Sequence, residues 1–178
     1  MTMSSFDRMW ESLRLVGRDP KTRGYRRFAW TREDHTLREW FAGECAARGM
    51  EVVVDRAGNQ WGWWGDPDAT PGVVIGSHLD SVADGGAFDG PLGVVSSFAA
   101  VDAVQRQGFR PRVAIGVANF ADEEGGRFGI ACAGSRLLTG ALDPRRAAAL
   151  RDADGVTMAG AWRAAGLEPN TMGPDPEA

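Results

Sequence analysis

The amino-acid sequence predicts an α/β protein, and three observations carry that prediction. A strand, a helix and a second strand are expected in succession over residues 73–120, which is a βαβ unit whose strands pair in parallel. Amphipathic helices and a hairpin are expected before this unit. The 178 residues, of which 43% are hydrophobic and 25% charged, suit one soluble domain.

The elements before the βαβ unit are predicted from periodicity and from residues that begin or end elements. Apolar residues recur at helical spacing over residues 4–15 and again over residues 37–45. Thr31 is expected to be the N-cap of the second helix, with Asp34 three residues further on. Valine-rich and tryptophan-rich runs on either side of residues 56–59 predict a hairpin.

The βαβ unit and the segments after it are predicted from apolar runs of different lengths. Residues 73–77 and 113–120 are short apolar runs and predict buried strands, with a helix over residues 92–107 between them. Short helices are expected at residues 135–138 and 158–165. The sheet therefore contains at least one parallel pair of strands.

Composition and charge argue against several classes of function. The formal net charge is −4 and the arginines are scattered, which argues against a nucleic-acid partner. No stretch of about 18 apolar residues occurs, so no membrane span is expected. A phosphate-binding glycine loop is absent, which argues against nucleotide binding. The N-terminus lacks the apolar core of a signal peptide, and Cys45 and Cys132 suggest free thiols, so a cytoplasmic location is predicted.

Acidic residues and one histidine follow the two predicted buried strands at their carboxyl ends. His78 and Asp80 come directly after the first strand, with Asp89 further on in a glycine-rich segment, and Glu123 and Glu124 follow the second strand. Ligands of parallel α/β sheets bind outside the carboxyl ends of the strands, so these groups are expected to converge. Divalent cations relieve the repulsion between such carboxylates, and a mixed histidine and carboxylate set suits zinc, manganese, cobalt or nickel.

Each of these motifs also has a plain structural interpretation. A lone histidine is more commonly a hydrogen-bonded core residue, and a Glu-Glu pair is more commonly a solvated turn. The spacing of His78 and Asp80 favours a metal site, because a metal-bound imidazole needs a carboxylate or carbonyl to fix its tautomer. Glu123 and Glu124 follow a buried strand and diverge, so that one can bind metal while the other holds a water.

Three sequence motifs resemble those of the allantoate amidohydrolase and N-carbamoyl-L-amino-acid hydrolase family, also called hydantoinase/carbamoylase, of the zinc-dependent exopeptidase superfamily. They are Gly-Ser-His-Leu-Asp-Ser-Val at 76–82 with Gly-Gly-Ala-Phe-Asp-Gly-Pro-Leu-Gly at 85–93, Asp-Glu-Glu-Gly-Gly-Arg-Phe-Gly at 122–129 followed by Gly-Ser-Arg at 134–136, and Asp-Arg-Ala-Gly-Asn at 55–59. The similarity runs nearly continuously over residues 24–166 and corresponds to the N-terminal part of family members.

The resemblance implies a role for each matching residue. His78 would bind one of two divalent metal ions, zinc or manganese, with cobalt or nickel as alternatives. Glu124 would bind the other ion, and Asp89 would bridge both. Glu123 would be the general base and Asp80 would orient His78. The implied reaction is hydrolysis of a ureido or carbamoyl C–N bond in allantoate or an N-carbamoyl-L-amino acid, with release of ammonia.

The resemblance also implies an architecture, in which residues 1–166 are the N-terminal portion of a three-layer catalytic domain with a mostly parallel central sheet. Family members continue into a further metal-binding histidine, a lid domain used in dimerisation and a final histidine. None of these lies in the 178 residues, and residues 167–178 are expected to form an untied tail. A homodimer, a complementing chain and a truncated fragment or interaction module without catalysis are therefore all open. A related aminoacylase or dipeptidase is a further alternative, although residues 123–129 look specific to the ureido branch.

Arg127 and Arg136 are the candidates for contact with a substrate carboxylate, and pairing with local acidic groups is the alternative for both. Cys132 lies shortly after the acidic motif and is expected to be a small core residue rather than a nucleophile. His35 is expected on the polar side of an early helix, away from the metal site.

Overall fold

The structure is a computed structural model that describes residues 3–69 and 71–175. Its elements in chain order are α1 (Ser5–Leu13), α2 (Arg32–Ala47), β1 (Glu51–Val54), β2 (Gln60–Trp64), β3 (Val73–His78), α3 (Pro91–Arg106), β4 (Ile115–Phe120), α4 (Ala133–Leu138), α5 (Pro144–Ala149), α6 (Met158–Ala164) and a 3₁₀ helix (Pro169–Thr171). Every helix and strand predicted from the sequence is present, while α5 and the 3₁₀ helix were not predicted. None of the helices in the part of the chain described is long and apolar enough to cross a bilayer.

The four strands form one mixed sheet in the order β1-β2-β4-β3. The predicted parallel pairing of β3 with β4 is confirmed, and α3 is the crossover between them. The hairpin strand β2 pairs antiparallel with β4, so that Gln60 faces Asn119 and Trp64 faces Ile115. The α/β class is confirmed, but the sheet is not mostly parallel here, because the hairpin is inserted beside β4 in the opposite direction.

Strand β3 is exposed, although the sequence predicted a buried strand. The side chains of Val73, Val74 and Ile75 are 55%, 42% and 36% exposed. Neighbouring residues of a strand point to opposite faces, so both faces of β3 are open at this end. The cause is position: within residues 3–69 and 71–175, β3 is an edge strand bonded to β4 alone. Strand β4 lies between two neighbours and is buried as predicted.

Helices α1, α2 and α3 share one apolar cluster with the sheet. Its most buried members include Leu37 and Phe41 of α2, Val94 and Phe98 of α3, and Val117 of β4, none of which is measurably exposed. The rings of Phe41 and Phe98 lie 5.3 Å apart. Burial of each such side chain contributes roughly 1.5–3 kcal/mol, so this cluster is what fixes the helices on the sheet.

The start of α2 differs in detail from the predicted cap. Thr31 occupies the N-cap position, but its hydroxyl donates to the carbonyl of Phe28 at 2.8 Å and caps no amide of the helix. Asp34 does not complete a capping box either: it is buried, and its carboxylate accepts the amide of Trp30 at 2.8 Å. The sequence predicted where α2 begins, while the hydrogen-bond partners of Thr31 and Asp34 depend on the fold around the start of the helix.

The β1–β2 hairpin closes around a buried carboxylate. Asp55 accepts hydrogen bonds from the amides of Ala57 (2.8 Å) and Asn59 (2.9 Å), and from the side chains of Asn59 (2.8 Å) and Trp61 (2.9 Å). The side-chain oxygen of Asn59 in turn accepts the amide of Ala121 at 2.9 Å. The hairpin turn therefore holds the residue that directly follows β4.

Helices α4, α5 and α6 form a second apolar cluster, which includes Trp162, Met158 and Leu137. Met172 is buried in it, with 6% exposure. The amide of Gly173 also donates to the carbonyl of Arg56 at 3.1 Å. Residues 167–175 thus pack against the domain and differ from the untied tail that their polar composition suggested, because Met172 has an apolar site to fill. The last three residues of the predicted tail, 176–178, lie outside the described residues.

Candidate metal centre

The acidic motifs meet where β3 and β4 end. His78 is the last residue of β3 and lies opposite Phe120 in the parallel register, so the segments after both strands leave the sheet side by side. Asp89 reaches the same place through the turn before α3. Gly90 makes that turn possible: its φ is +84°, and a Cβ there would lie 2.5 Å from Cε1 of the His78 ring. Only glycine lets the backbone pass so close to the imidazole.

Three of the predicted metal ligands come together. His78, Asp89 and Glu124 each offer one ligand atom, and these three atoms lie within 4.8 Å of one another. His78 is buried, Glu124 is half-buried and Asp89 is exposed, so the group opens to solvent on one side. One imidazole nitrogen and two carboxylates fit a divalent ion such as zinc or manganese, with room for water or substrate at the open side.

Asp80 connects the two halves of the site. Its carboxylate lies 3.3 Å from Nδ1 of His78, and its carbonyl oxygen lies 3.1 Å from the same nitrogen. The two carboxylate oxygens also accept the backbone amides of Glu123 (3.2 Å) and Glu124 (3.1 Å). Asp80 itself is buried, with 4% exposure. One side chain thus fixes the imidazole and the turn that carries both glutamates.

Glu123 lies beside His78, and each of its two carboxylate oxygens has a different neighbour. Its Oε2 is 3.5 Å from Nε2 of His78, and its Oε1 accepts a hydrogen bond from Sγ of Cys132 at 3.4 Å. The side chain is 36% exposed. An accessible carboxylate next to a group of metal donors is placed to take a proton from a water bound there.

The site contains more acidic than basic side chains. Burial raises the pKa of Glu124, and the carboxylates of Asp89, Asp80 and Glu123 raise it further, against the opposing effect of His78. Burial lowers the pKa of His78, but its hydrogen bond to Asp80 and the charges of Asp80 and Glu123 outweigh this and leave the pKa raised. Neighbouring carboxylates contribute to both shifts, and a bound cation would stabilise the ionised form of these carboxylates.

Two buried acids behind the site were not singled out from the sequence. Asp122 is 1% exposed, and burial together with the charges of Asp80 and Asp34 raises its pKa to about 8, although Arg127 opposes the shift. Its φ of +49° is in the left-handed region. Asp34 is also buried, and burial raises its pKa above the ordinary value. The Asp-Glu-Glu motif indicated that Asp122 lies near the site. The burial of Asp122 depends on tertiary packing, which the motif does not show.

Arg127 has its partners within the protein. Its guanidinium donates to Asp152 at 3.0 Å and to the carbonyls of Ala29 and Trp30 at 2.7 and 3.1 Å. Arg127 is therefore paired with groups of the protein itself, which was the alternative to contact with a substrate. Arg136 is half-buried on α4, and its charge acts on Cys132, so a substrate contact for Arg136 stays a prediction.

The sequence predicted Cys132 to be a small core residue and His35 to lie on the polar side of an early helix, away from the metal site. Cys132 is half-buried at the N-cap of α4 with a φ of +57°, rather than in the core. Its hydrogen bond to the Glu123 carboxylate, followed by burial and the charge of Glu123, raises the pKa of the thiol. His35 is half-buried on α2 and does not belong to the group of three donors.

The described residues combine a mixed α/β sheet with three donors that could hold a metal ion at its edge. Residues 62–160, which include all the predicted ligands, match the model of peptidase family M28, and the chain belongs to that family. It is 39% identical over 170 residues to N-carbamoyl-L-amino acid amidohydrolase of Geobacillus stearothermophilus, covering 93% of this chain and 41% of that protein. It is 36% identical over 143 residues to ureidoglycolate hydrolase of Arabidopsis thaliana, covering 79% and 30%.

The fold is that of solved hydantoinase/carbamoylase structures. The amidase of this family from Burkholderia ambifaria superposes with a TM-score of 0.82 at 36% identity, over 95% of this chain and 42% of that one. The chain therefore spans between 30% and 42% of the length of these relatives. These similarities agree with the family that the motifs at residues 76–93 and 122–136 resemble.

Proposed function

We propose that the protein is a metal-dependent amidohydrolase that cleaves a ureido or carbamoyl C–N bond and releases ammonia. The observation that carries the proposal is the convergence of His78, Asp89 and Glu124, with the solvent-accessible carboxylate of Glu123 beside them. The names of the relatives support the substrate class: one acts on N-carbamoyl-L-amino acids and another on ureidoglycolate. The proposed substrates are an N-carbamoyl-L-amino acid or allantoate.

The proposed cofactors are two divalent ions, zinc or manganese, with cobalt or nickel as alternatives. His78, Asp89 and Glu124 would hold them, and the exposed carboxylate of Asp89 has two oxygens with which to bridge. Bound ions would polarise the substrate carbonyl and lower the pKa of an attacking water. Three donors suffice for one ion with an open position, so a second ion needs ligands from elsewhere.

Each remaining residue of the site has a task that its contacts suggest. Glu123 takes the proton of the attacking water and later delivers it to the departing nitrogen. Asp80 accepts from Nδ1 of His78, so that Nε2 presents its lone pair toward the carboxylates of Asp89 and Glu124. The same Asp80 carboxylate fixes the amides of Glu123 and Glu124, which keeps the base at a constant distance from the ligands.

The proposal for the assembly follows from the ligand count. The three donors found in the described residues leave a second ion without a full ligand set, so a homodimer or a complementing polypeptide is proposed to supply the remaining ligands. The cytoplasmic location proposed here rests on Cys45 and Cys132, which are unpaired. A non-catalytic interaction module is the competing hypothesis. The exposed edge of β3 favours it, because an open strand edge can pair with another chain.

Ammonia release is the experiment that tests the function. The purified chain is given manganese, zinc, cobalt or nickel, with allantoate, several N-carbamoyl-L-amino acids, an N-acetyl amino acid and a dipeptide. Hydrolysis of the last two releases no ammonia, so it is followed by the free amino acids that they yield. We expect turnover of the ureido substrates. This turnover should be lost in Glu123→Gln and kept in Glu39→Gln, where Glu39 is an exposed position on α2. Turnover of only the acetyl or peptide substrates would transfer the protein to the aminoacylase or dipeptidase class. Absence of both turnover and metal binding would contradict the proposal.

A further inference from the structure

Cys132 is held beside Glu123 by the backbone around it. It is the N-cap of α4, and its φ of +57° turns the chain sharply into that helix. The amide of Cys132 donates to the carbonyl of Glu123, and the amide of Ala133 donates to that of Asp122 at 3.0 Å. The turn that carries the thiol is thus bonded directly to the turn that carries the acidic motif, so the two side chains keep a fixed relation.

The two oxygens of the Glu123 carboxylate have different neighbours. Oε1 accepts the thiol proton of Cys132 over 3.4 Å, while Oε2 lies 3.5 Å from Nε2 of His78. A thiol has a single proton to donate, and a carboxylate left unconstrained can rotate about its terminal bond. The contact with Cys132 therefore fixes the rotation of the carboxylate and keeps one oxygen on the side of His78.

We propose that Cys132 is a positioning residue for Glu123, whose thiol holds Oε1 and leaves Oε2 as the oxygen that accepts the proton of the attacking water. The inference rests on the proposed function, in which Glu123 is the general base. A base acts through a lone pair aimed at the proton within hydrogen-bond reach, so orientation of the carboxylate matters as much as its charge. Cys132 touches neither the metal donors nor the reacting atoms, and it acts only through Glu123.

The contact is tested without turnover, by the rate at which iodoacetamide alkylates Cys132 in the full chain, read by peptide mass spectrometry. The thiolate is the reacting species, and a carboxylate within hydrogen-bond distance disfavours it. Alkylation of Cys132 is expected to become several-fold faster in Glu123→Gln, which removes the charge, and to be unchanged in Glu39→Gln. Cys45, which is fully buried, is the internal control for unfolding. An unchanged Cys132 rate in Glu123→Gln would overturn the contact.

The consequence is tested by turnover of an N-carbamoyl-L-amino acid with manganese present. Cys132→Ala is expected to lower kcat by roughly tenfold with little change in KM, because orientation of the base is lost and binding is not. Cys132→Ser keeps a donor at the same place and should recover most of the loss. Equal kcat for Cys132→Ala and the unsubstituted chain would refute the positioning role. An inactive unsubstituted chain would count against the proposed function, and the alkylation rates would then decide on Cys132 by themselves.

Discussion

At the residue scale, the site depends on a few buried carboxylates that each serve more than one neighbour. Asp80 accepts from the imidazole of His78 and from the amides of both glutamates, so it is a structural centre as well as a partner of the imidazole. Asp122 and Asp34 lie buried nearby, and the pKa of each is raised, mainly by burial. This arrangement costs stability when the acids ionise, and functional sites commonly retain such costs.

Asp122 gives a prediction for the dependence of stability on pH. Its pKa is about 8 in the folded chain and near 3.8 in the unfolded one. Between these values the unfolded chain has released the proton and the folded chain still holds it, so the free energy of unfolding falls as pH rises. Asp122→Asn removes this loss, and asparagine tolerates the left-handed backbone at this position.

The measurement is urea unfolding of the metal-free chain, followed by tryptophan fluorescence at about pH 5 and about pH 8. Asp122→Asn is expected to be more stable than the unsubstituted chain by on the order of 1 kcal/mol or more near pH 8, with a smaller difference near pH 5. A difference that is the same at both pH values would show that Asp122 is not held protonated by its surroundings.

At the scale of elements, the hairpin turn determines where the acidic motif lies. Asp55 accepts four hydrogen bonds within the turn, and Asn59 passes the constraint to Ala121 at the end of β4. The β1–β2 hairpin is therefore part of the support of the metal centre, although none of its residues reaches the metal donors. Buried donors that lose a charged acceptor are costly, which makes Asp55 a sensitive position.

Asp55→Ala is expected to destabilise the chain by roughly 3 kcal/mol or more, because four donors lose their partner in a buried place. The measurement is thermal or urea unfolding, with Asp66→Ala as the matched control. Asp66 is an exposed turn residue whose carboxylate accepts only the amide of Asp68 among the hydrogen bonds found, so its loss should change stability by less than about 0.5 kcal/mol. Similar effects of both substitutions would contradict the role given to the hairpin network.

At the scale of the whole molecule, the exposed edge of β3 is the feature that sets this chain apart from a self-contained sheet. Val73, Val74 and Ile75 present apolar side chains beside a strand edge that pairs with β4 on one side only in residues 3–69 and 71–175. Such an edge is a template for pairing with another strand, and lysine on an edge is a common protection against it.

The isolated chain is therefore expected to associate as its concentration rises, and Val74→Lys is expected to reduce the association. Val156→Lys is the matched control, since Val156 is 40% exposed and lies in the segment before α6, away from β3. Light scattering coupled to gel filtration measures the mass over a range of concentrations. A monomer at every concentration, or an equal effect of both lysines, would contradict the assignment of β3 as the associating surface.

The sequence by itself determined the α/β class, the order of the elements, the parallel βαβ unit and the group of acidic and histidine residues at the strand ends. These follow from local periodicity and from motifs that lie within a few residues of one another, such as His78 with Asp80. Only the tertiary structure decided that β2 joins β4 antiparallel, that β3 is an edge, and that Met172 is buried. It also decided that Arg127 is paired with Asp152 and that Cys132 contacts Glu123. These contacts depend on how the segments pack against one another in three dimensions, which the local periodicity and motifs of the sequence do not specify.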